Sequence, residues 1–240
     1  MVKIMQVIKT NNYEDMSRVV AEMFIAQITA KPTSVLGLAT GSTPESAYKL
    51  LVQAYENKQV DFSQVTTVNL DEYHGLTPDN PQSYRYFMNS NLFNLINIDK
   101  NKTHVPSGTA ANPDAECERY EKLIEEVGGI DLQLLGMGHN GHLAFNEPGE
   151  ELSPVTHHVY LSETTIKANS RFFETYEDVP KSAISMGMKS IMSGRKLILA
   201  VSGNAKANIL KKALYGPITT QIPASLLQLH NDVTVVTDCL

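Results

Sequence analysis

The run Ile130-Asp131-Leu132-Gln133-Leu134-Leu135-Gly136-Met137 passes directly into Gly138-His139-Asn140-Gly141-His142-Leu143-Ala144-Phe145-Asn146-Glu147-Pro148. The first part has the length and apolar density of a buried parallel strand. The second is a glycine-punctuated loop carrying Asn140, His142 and Glu147. Open α/β sheets build their ligand sites at the carboxyl ends of such strands. A His and a Glu five residues apart, on a turn made flexible by Gly138 and Gly141, can converge on one small molecule.

Outward from this stretch, strand-like runs alternate with helical patterns. Residues 34–39, 65–70, 130–136, 196–201 and 233–237 read as short strands. Met16, Val19, Val20, Met23, Phe24 and Ile28 recur at helical spacing, and Lys31-Pro32 ends that helix. Pro44 suits the first turn of the next helix, and Asn112-Pro113 opens another that Gly128-Gly129 closes. Residues 81–95, 163–169 and 204–214 read as further helices. The pattern predicts an α/β fold: a doubly wound, mainly parallel sheet of five or six strands in a single layer, with helices on both faces, as one domain over residues 1–240.

The composition narrows the function. Hydrophobic residues make up 42% of the 240, enough for a sizeable core. The net charge is -6 with no basic cluster, which argues against nucleic acid and anionic membrane as partners. A small anionic substrate needs only one or two placed cations and stays open. Cys117 and Cys239, the two cysteines, offer neither metal spacing nor a disulfide framework, which fits a reducing cytoplasm. The N-terminal residues do not form a secretory signal, and no run reaches the roughly 18 apolar residues of a membrane helix.

Four strand-end loops carry the polar chemistry. Ala39-Thr40-Gly41-Ser42-Thr43-Pro44 leads into a helix N-terminus, where free N–H groups and the helix dipole favour an anion. Alone, it is equally an ordinary tight turn. Asn69-Leu70-Asp71-Glu72-Tyr73-His74-Gly75 puts two acids after a strand. One can act as a base raised by burial while the other caps or pairs structurally; two solvated turn acids are the plain alternative. In the third loop, Glu147 can orient His142 as a base near neutral pH, and His139 reads as an exposed turn residue. A lone histidine is more often a packing residue. No His pair has helical metal spacing, so no metal is expected. In the fourth, Val201-Ser202-Gly203-Asn204-Ala205-Lys206, a cation sits in a first helical turn against the dipole, a placement that suggests a phosphate contact. Arg171, beside Phe172 and Phe173, can make a bidentate phosphate contact or simply pair with an acid.

Taken in order, Leu38 to Pro44, Asn69 to Tyr73, Gly141-His142-Leu143-Ala144-Phe145-Asn146-Glu147-Pro148, Asn169 to Phe173, and Ser202-Gly203 with Lys206 resemble the glucosamine-6-phosphate deaminase family over nearly the whole chain. The third motif is the most specific. The resemblance implies a Rossmann-like fold and conversion of glucosamine 6-phosphate and water to fructose 6-phosphate and ammonia, a step of amino-sugar breakdown, with no cofactor. It implies that Asp71 moves the C2 proton to C1, that His142 opens the pyranose ring, and that Glu147 and Asn140 support His142. It implies that Gly41, Ser42, Thr43, Arg171 and Lys206 hold the phosphate. Residues 155–176 lie between the catalytic and phosphate motifs, where a lid would sit.

Two departures from the family pattern stand out. Some members have Asp at the position of Asn140; the amide orients but cannot ionise, which leaves Glu147 to supply the charge. The hexameric, allosterically activated members have a longer C-terminal tail and basic residues after the Asn-Glu-Pro segment, where this chain reads Thr156-His157-His158-Val159. A monomer or small oligomer without activation by N-acetylglucosamine 6-phosphate is therefore expected. Two competing readings are 6-phosphogluconolactonase, which needs only a hydrolytic base, and a sugar-phosphate-binding regulator without chemistry. Phe145-Asn146-Glu147-Pro148 and Asp71-Glu72-Tyr73 argue against the first, and Asp71, His142 and Glu147 together argue against the second.

Overall fold

The computed structural model describes residues 5–170, 173, 175, 176 and 178–240. Among these, seven strands form one parallel sheet in the order β1-β10-β9-β6-β2-β3-β5. They are β1 (Gln6–Lys9), β2 (Val35–Leu38), β3 (Thr66–Asn69), β5 (Thr103–His104), β6 (Leu132–Gly136), β9 (Leu197–Val201) and β10 (Val233–Thr237). Strands β2, β6, β9 and β10 are almost wholly buried, which explains their uninterrupted apolar runs.

Helices α1 (Tyr13–Ala30) and α2 (Glu45–Glu56) follow β1 and β2, and they pack on each other. Both connections step towards β5. The connections through α4 (Pro113–Glu126) and α7 (Ala207–Tyr215) step the other way. Right-handed crossovers in opposite directions put the two pairs of helices on opposite faces of the sheet. The expected helix over residues 81–95 is α3 (Tyr84–Met88) continued by a wider π-helical turn (Asn89–Phe93).

The order in which strands are added reverses between β2 and β6, and these parallel strands pair only at Leu36 with Leu132 and Gly37 with Gln133. Beyond that point they part, and the crevice of a topological switch point opens at their carboxyl ends. The seam depends on Gly37. A Cβ there would fall 2.1 Å from Gln133 Oε1, because the Gln133 side chain lies across the glycine.

The expectation of a single layer needs correction. A second, antiparallel sheet has the order β4-β8-β7, from β4 (Asp71–His74), β8 (Ser182–Ser185) and β7 (His157–Tyr160). Asp71 and Glu72, read as loop acids, are strand residues paired with Ser185 and Ile184. Residues 155–176, placed as a lid, include β7 and α5 (Glu163–Asn169). This smaller unit has its own core of Tyr73, Phe145, Leu161, Ile166, Val179 and Ala183. Its strands escaped the sequence reading because they are four residues long and half polar, so their register comes from partners distant in the chain.

Substituting Gly37→Ala should lower stability by about 1–3 kcal/mol, as overpacking does, and lower the urea midpoint accordingly. Adding Gln133→Ala should restore most of the loss. A single variant as stable as the parent would show that the seam has slack.

Candidate active site

All seven strands of the parallel sheet point the same way, so their carboxyl-terminal loops share one edge. Two of the loops are bonded together there, and a third comes close to them. Lys206 Nζ donates to the Met137 carbonyl at 2.6 Å, joining the loop after β9 to the loop after β6. Thr43 lies beside Gly136, its Oγ1 4.0 Å from where a Cβ would stand. The 39–44 loop is fixed from outside by Tyr13, whose hydroxyl donates to the Ser42 carbonyl at 2.7 Å, and by Tyr48, which donates to the Ala39 carbonyl. Gly41 needs its glycine for a positive φ of 87°. Pro44 at the N-cap of α2 offers no side-chain bond, and the Tyr13 hydroxyl takes only the Ser46 N–H, so the anion-favouring end of the helix stands behind Gly41, Ser42 and Thr43.

Lys206 is not in the first turn of α7. It closes a 3-10 turn (Asn204–Lys206) and caps the helix. Burial lowers the pKa of its ammonium. The turn is held by Asp238 at the end of β10, which accepts from Ser202 Oγ at 2.6 Å and from the Gly203 amide at 2.9 Å. Asp238 had no distinguishing signal in the sequence. Arg171 lies outside the described residues.

The loop after β6 is built for close approach. The His142 ring lies over Gly138, where a Cβ would come within 2.2 Å of Cε1. Gly138 therefore supplies room rather than flexibility. Gly141 supplies a positive φ of 88°, and Ala144 adopts one of 52° in the turn closed by Asn146 N–H to the Leu143 carbonyl. His139 is exposed.

His142 Nδ1 lies 3.1 Å from Glu147 Oε1, although it is not aligned as a hydrogen bond. Asn140 Nδ2 donates to Glu147 Oε2 at 2.6 Å, and its Oδ1 accepts the His142 amide N–H at 3.2 Å. Both contacts require the same amide orientation. Thr165, from α5, donates to Glu147 Oε1 at 2.9 Å. Burial opposes ionisation of Glu147, but His142, Asn140 and Thr165 outweigh it and hold the carboxyl down at about 2.

Asp71 and Glu72 have divided roles. Glu72 accepts the backbone N–H groups of Tyr73, Tyr84 and Arg85, and so caps the start of α3. Burial lifts its carboxyl to about 7 against the pull of those donors. Asp71 is 7% exposed, and no hydrogen bond from a described residue reaches its carboxyl. Burial, then the neighbouring charge of Glu72, pushes it up to about 8. One carboxyl is thus held ionised and another held close to neutral pH, the arrangement that separates acid from base roles.

The two groups are spliced by β8. Ser185 pairs with Asp71 in register, and its Oγ accepts the Phe145 amide N–H at 3.1 Å. Met186 donates its N–H to Leu70, and its carbonyl accepts Asn146 Nδ2 at 2.8 Å. Tyr73, Tyr84 and Phe145 pack together behind them, with Tyr84 and Phe145 parallel at 6.3 Å. Among the described residues, no group of three or more His, Cys, Asp or Glu side chains is arranged to hold a metal ion.

An open α/β sheet that gathers a helix N-terminus, a buried lysine, a histidine and carboxyls of contrasting ionisation at its carboxyl-terminal edge has the layout of a small-molecule enzyme. Residues 9–236 match the family model of glucosamine-6-phosphate isomerases/6-phosphogluconolactonase, and the chain belongs to that family. It is 56% identical to the glucosamine-6-phosphate deaminase of Lachnoclostridium phytofermentans, over 97% of this chain and 98% of that protein. It is 54% identical to that of Clostridium perfringens strain 13, over 98% and 97%. The structure of a monomeric glucosamine-6-phosphate deaminase superposes with a TM-score of 0.94 at 44% identity, covering 97% of each chain. The 6-phosphogluconolactonase of Thermotoga maritima shares the fold, with a TM-score of 0.75 at 19% identity and 98% of each chain covered.

The raised Asp71 carboxyl makes a signed prediction. The folded state holds its proton up to about pH 8, whereas the unfolded chain releases it near pH 3.9. Stability from this group is complete at low pH and is lost as pH rises through 8. Asp71→Asn should therefore be more stable than the parent by at least about 1 kcal/mol at pH 8, with the advantage gone at pH 4. Urea unfolding at the two pH values measures it; an advantage independent of pH would refute the assignment.

Proposed function

We propose that the chain is a glucosamine-6-phosphate deaminase, converting D-glucosamine 6-phosphate and water to D-fructose 6-phosphate and ammonia. The reading is carried by the two distinct proton-handling groups, Asp71 on β4 and the His142–Glu147 pair on the loop after β6, which are joined through β8. The identity to proteins of that name over nearly their full length supports it. A lactone hydrolase needs only one base.

In this mechanism His142 takes the proton of the O1 hydroxyl and delivers it to the ring oxygen as the C1–O5 bond breaks. Glu147, ionised, steadies the imidazolium that forms, and Asn140 orients both groups. The open aldehyde makes the C2 proton acidic. Asp71 removes it to give an enolamine and returns a proton to C1, leaving an imine at C2. Water adds to the imine carbon and ammonia leaves. A carboxyl whose proton binding is raised towards the operating pH suits this transfer, since a stronger base takes a carbon-bound proton more readily. The phosphate is held by the Gly41-Ser42-Thr43 loop, Lys206 and Arg171. Anchoring this remote group brings C1 and C2 to the bases and converts binding into orientation.

Ammonia release from glucosamine 6-phosphate tests the assignment. The wild type should release it, Asp71→Asn should lose at least about 10²-fold in kcat with substrate binding kept, and Glu147→Gln should lose rate and change its pH profile. Hydrolysis of 6-phosphogluconolactone without ammonia release would replace this reading. An unaltered pH profile in Glu147→Gln would remove Glu147 from it.

The chain is further inferred to act as a monomer, in line with the monomeric relative it superposes on. Sedimentation should give a single species of one chain, with a hyperbolic rate curve that N-acetylglucosamine 6-phosphate does not activate. A sigmoidal curve that this ligand makes hyperbolic would overturn the inference.

A further inference from the structure

Glu147 is held from two directions. Asn140 and His142 reach it from its own loop. Thr165 reaches it from α5, in the smaller antiparallel unit, and donates to the same oxygen that faces His142. Ser162, the N-cap of α5, accepts the Thr165 amide N–H at 3.2 Å and donates its own hydroxyl proton to Thr165 Oγ1 at 3.0 Å. A hydroxyl has one proton to give. With Ser162 filling an acceptor position on Thr165 Oγ1, the Thr165 proton is directed at Glu147.

The contact matters because the His142–Glu147 pair does not fix its own geometry. Its two atoms approach to 3.1 Å without alignment. The terminal torsion of a glutamate is broad, so bonds from outside must set the carboxylate plane. Asn140 holds Oε2 and Thr165 holds Oε1. With only Asn140 in place, the carboxylate can pivot about that bond and carry its charge away from the ring. Helix α5 is itself seated by Leu161 and Ile166 in the core that contains Tyr73 of β4 and Phe145 of the catalytic loop.

We propose that Thr165 is a positioning residue for the ring-opening pair: its hydroxyl, oriented by Ser162, fixes Glu147 against His142, so the seating of α5 is a condition for ring opening. The proposal rests on the assignment of ring opening to His142 and Glu147.

Three variants test it in the full chain. Thr165→Val keeps the shape and removes the hydroxyl; it should lower kcat by about ten-fold with little change in KM, the size expected for losing a bond to a charged group. Thr165→Ser restores the hydroxyl and should stay within about two-fold of the parent. In a Glu147→Gln background, Thr165→Val should cost nothing more, because the two substitutions then break one interaction. A ten-fold loss of the same size in both backgrounds would overturn the proposal. A second readout is independent of turnover. The Glu147 carboxyl, followed by ¹³C NMR, should titrate at higher pH in Thr165→Val and return in Thr165→Ser. An unmoved titration would also overturn the proposal. Absence of ammonia release by the wild type would instead overturn the functional reading, since the titration still reads the Thr165 contact.

Discussion

The site depends on a two-residue splice. Ser185 and Met186, at the end of β8, bond on one side to the Leu70–Asp71 backbone and on the other to Phe145 and Asn146. Asp71 follows β3 and the His142–Glu147 loop follows β6, two strands that β2 separates in the sheet. Within the parallel sheet they are related only through β2, and a further element has to link them directly. The antiparallel unit does so, because its central strand touches both. Directional backbone and side-chain bonds to buried partners hold this distance more tightly than apolar packing would, since each has a narrow range of length and angle. Reactions with two separate proton transfers need that constancy.

The same unit creates contrasting electrostatics. Pairing β4 with β8 buries Asp71 away from water, and burial is what raises its carboxyl. Glu72, one residue on, turns to the other side of the strand and meets the start of α3. Glu147 is also partly buried, yet two hydrogen-bond donors and the His142 imidazole surround it and it stays ionised. Three carboxyls within one site thus behave differently because of their hydrogen-bond donors and solvent access. Keeping Asp71 in a dry setting costs stability, which the proposed proton transfer would account for.

Much of the large sheet was legible in the sequence. Strands β6, β9 and β10 are buried on both faces, so their apolar runs stand out without help from neighbours. Loop residues such as Gly41 and Gly141 mark sharp turns wherever they occur. The small sheet was not legible. His157-His158-Val159-Tyr160 and Ser182-Ala183-Ile184-Ser185 are too short and too polar to declare a period, and Asp71-Glu72-Tyr73-His74 looks like a polar turn. Thr165 carried no sign of its contact with Glu147, because a threonine at the start of a helix has many ordinary uses.

The sequence by itself determined which chemical groups are present and the edge of the sheet at which they cluster. It did so because strand and loop identity follow from local periodicity and from glycine and proline. Only the tertiary structure decided which acid is dry, which is ionised and which caps a helix. Those properties depend on partners supplied by remote segments and on the water those segments exclude, and neither is encoded in any local pattern.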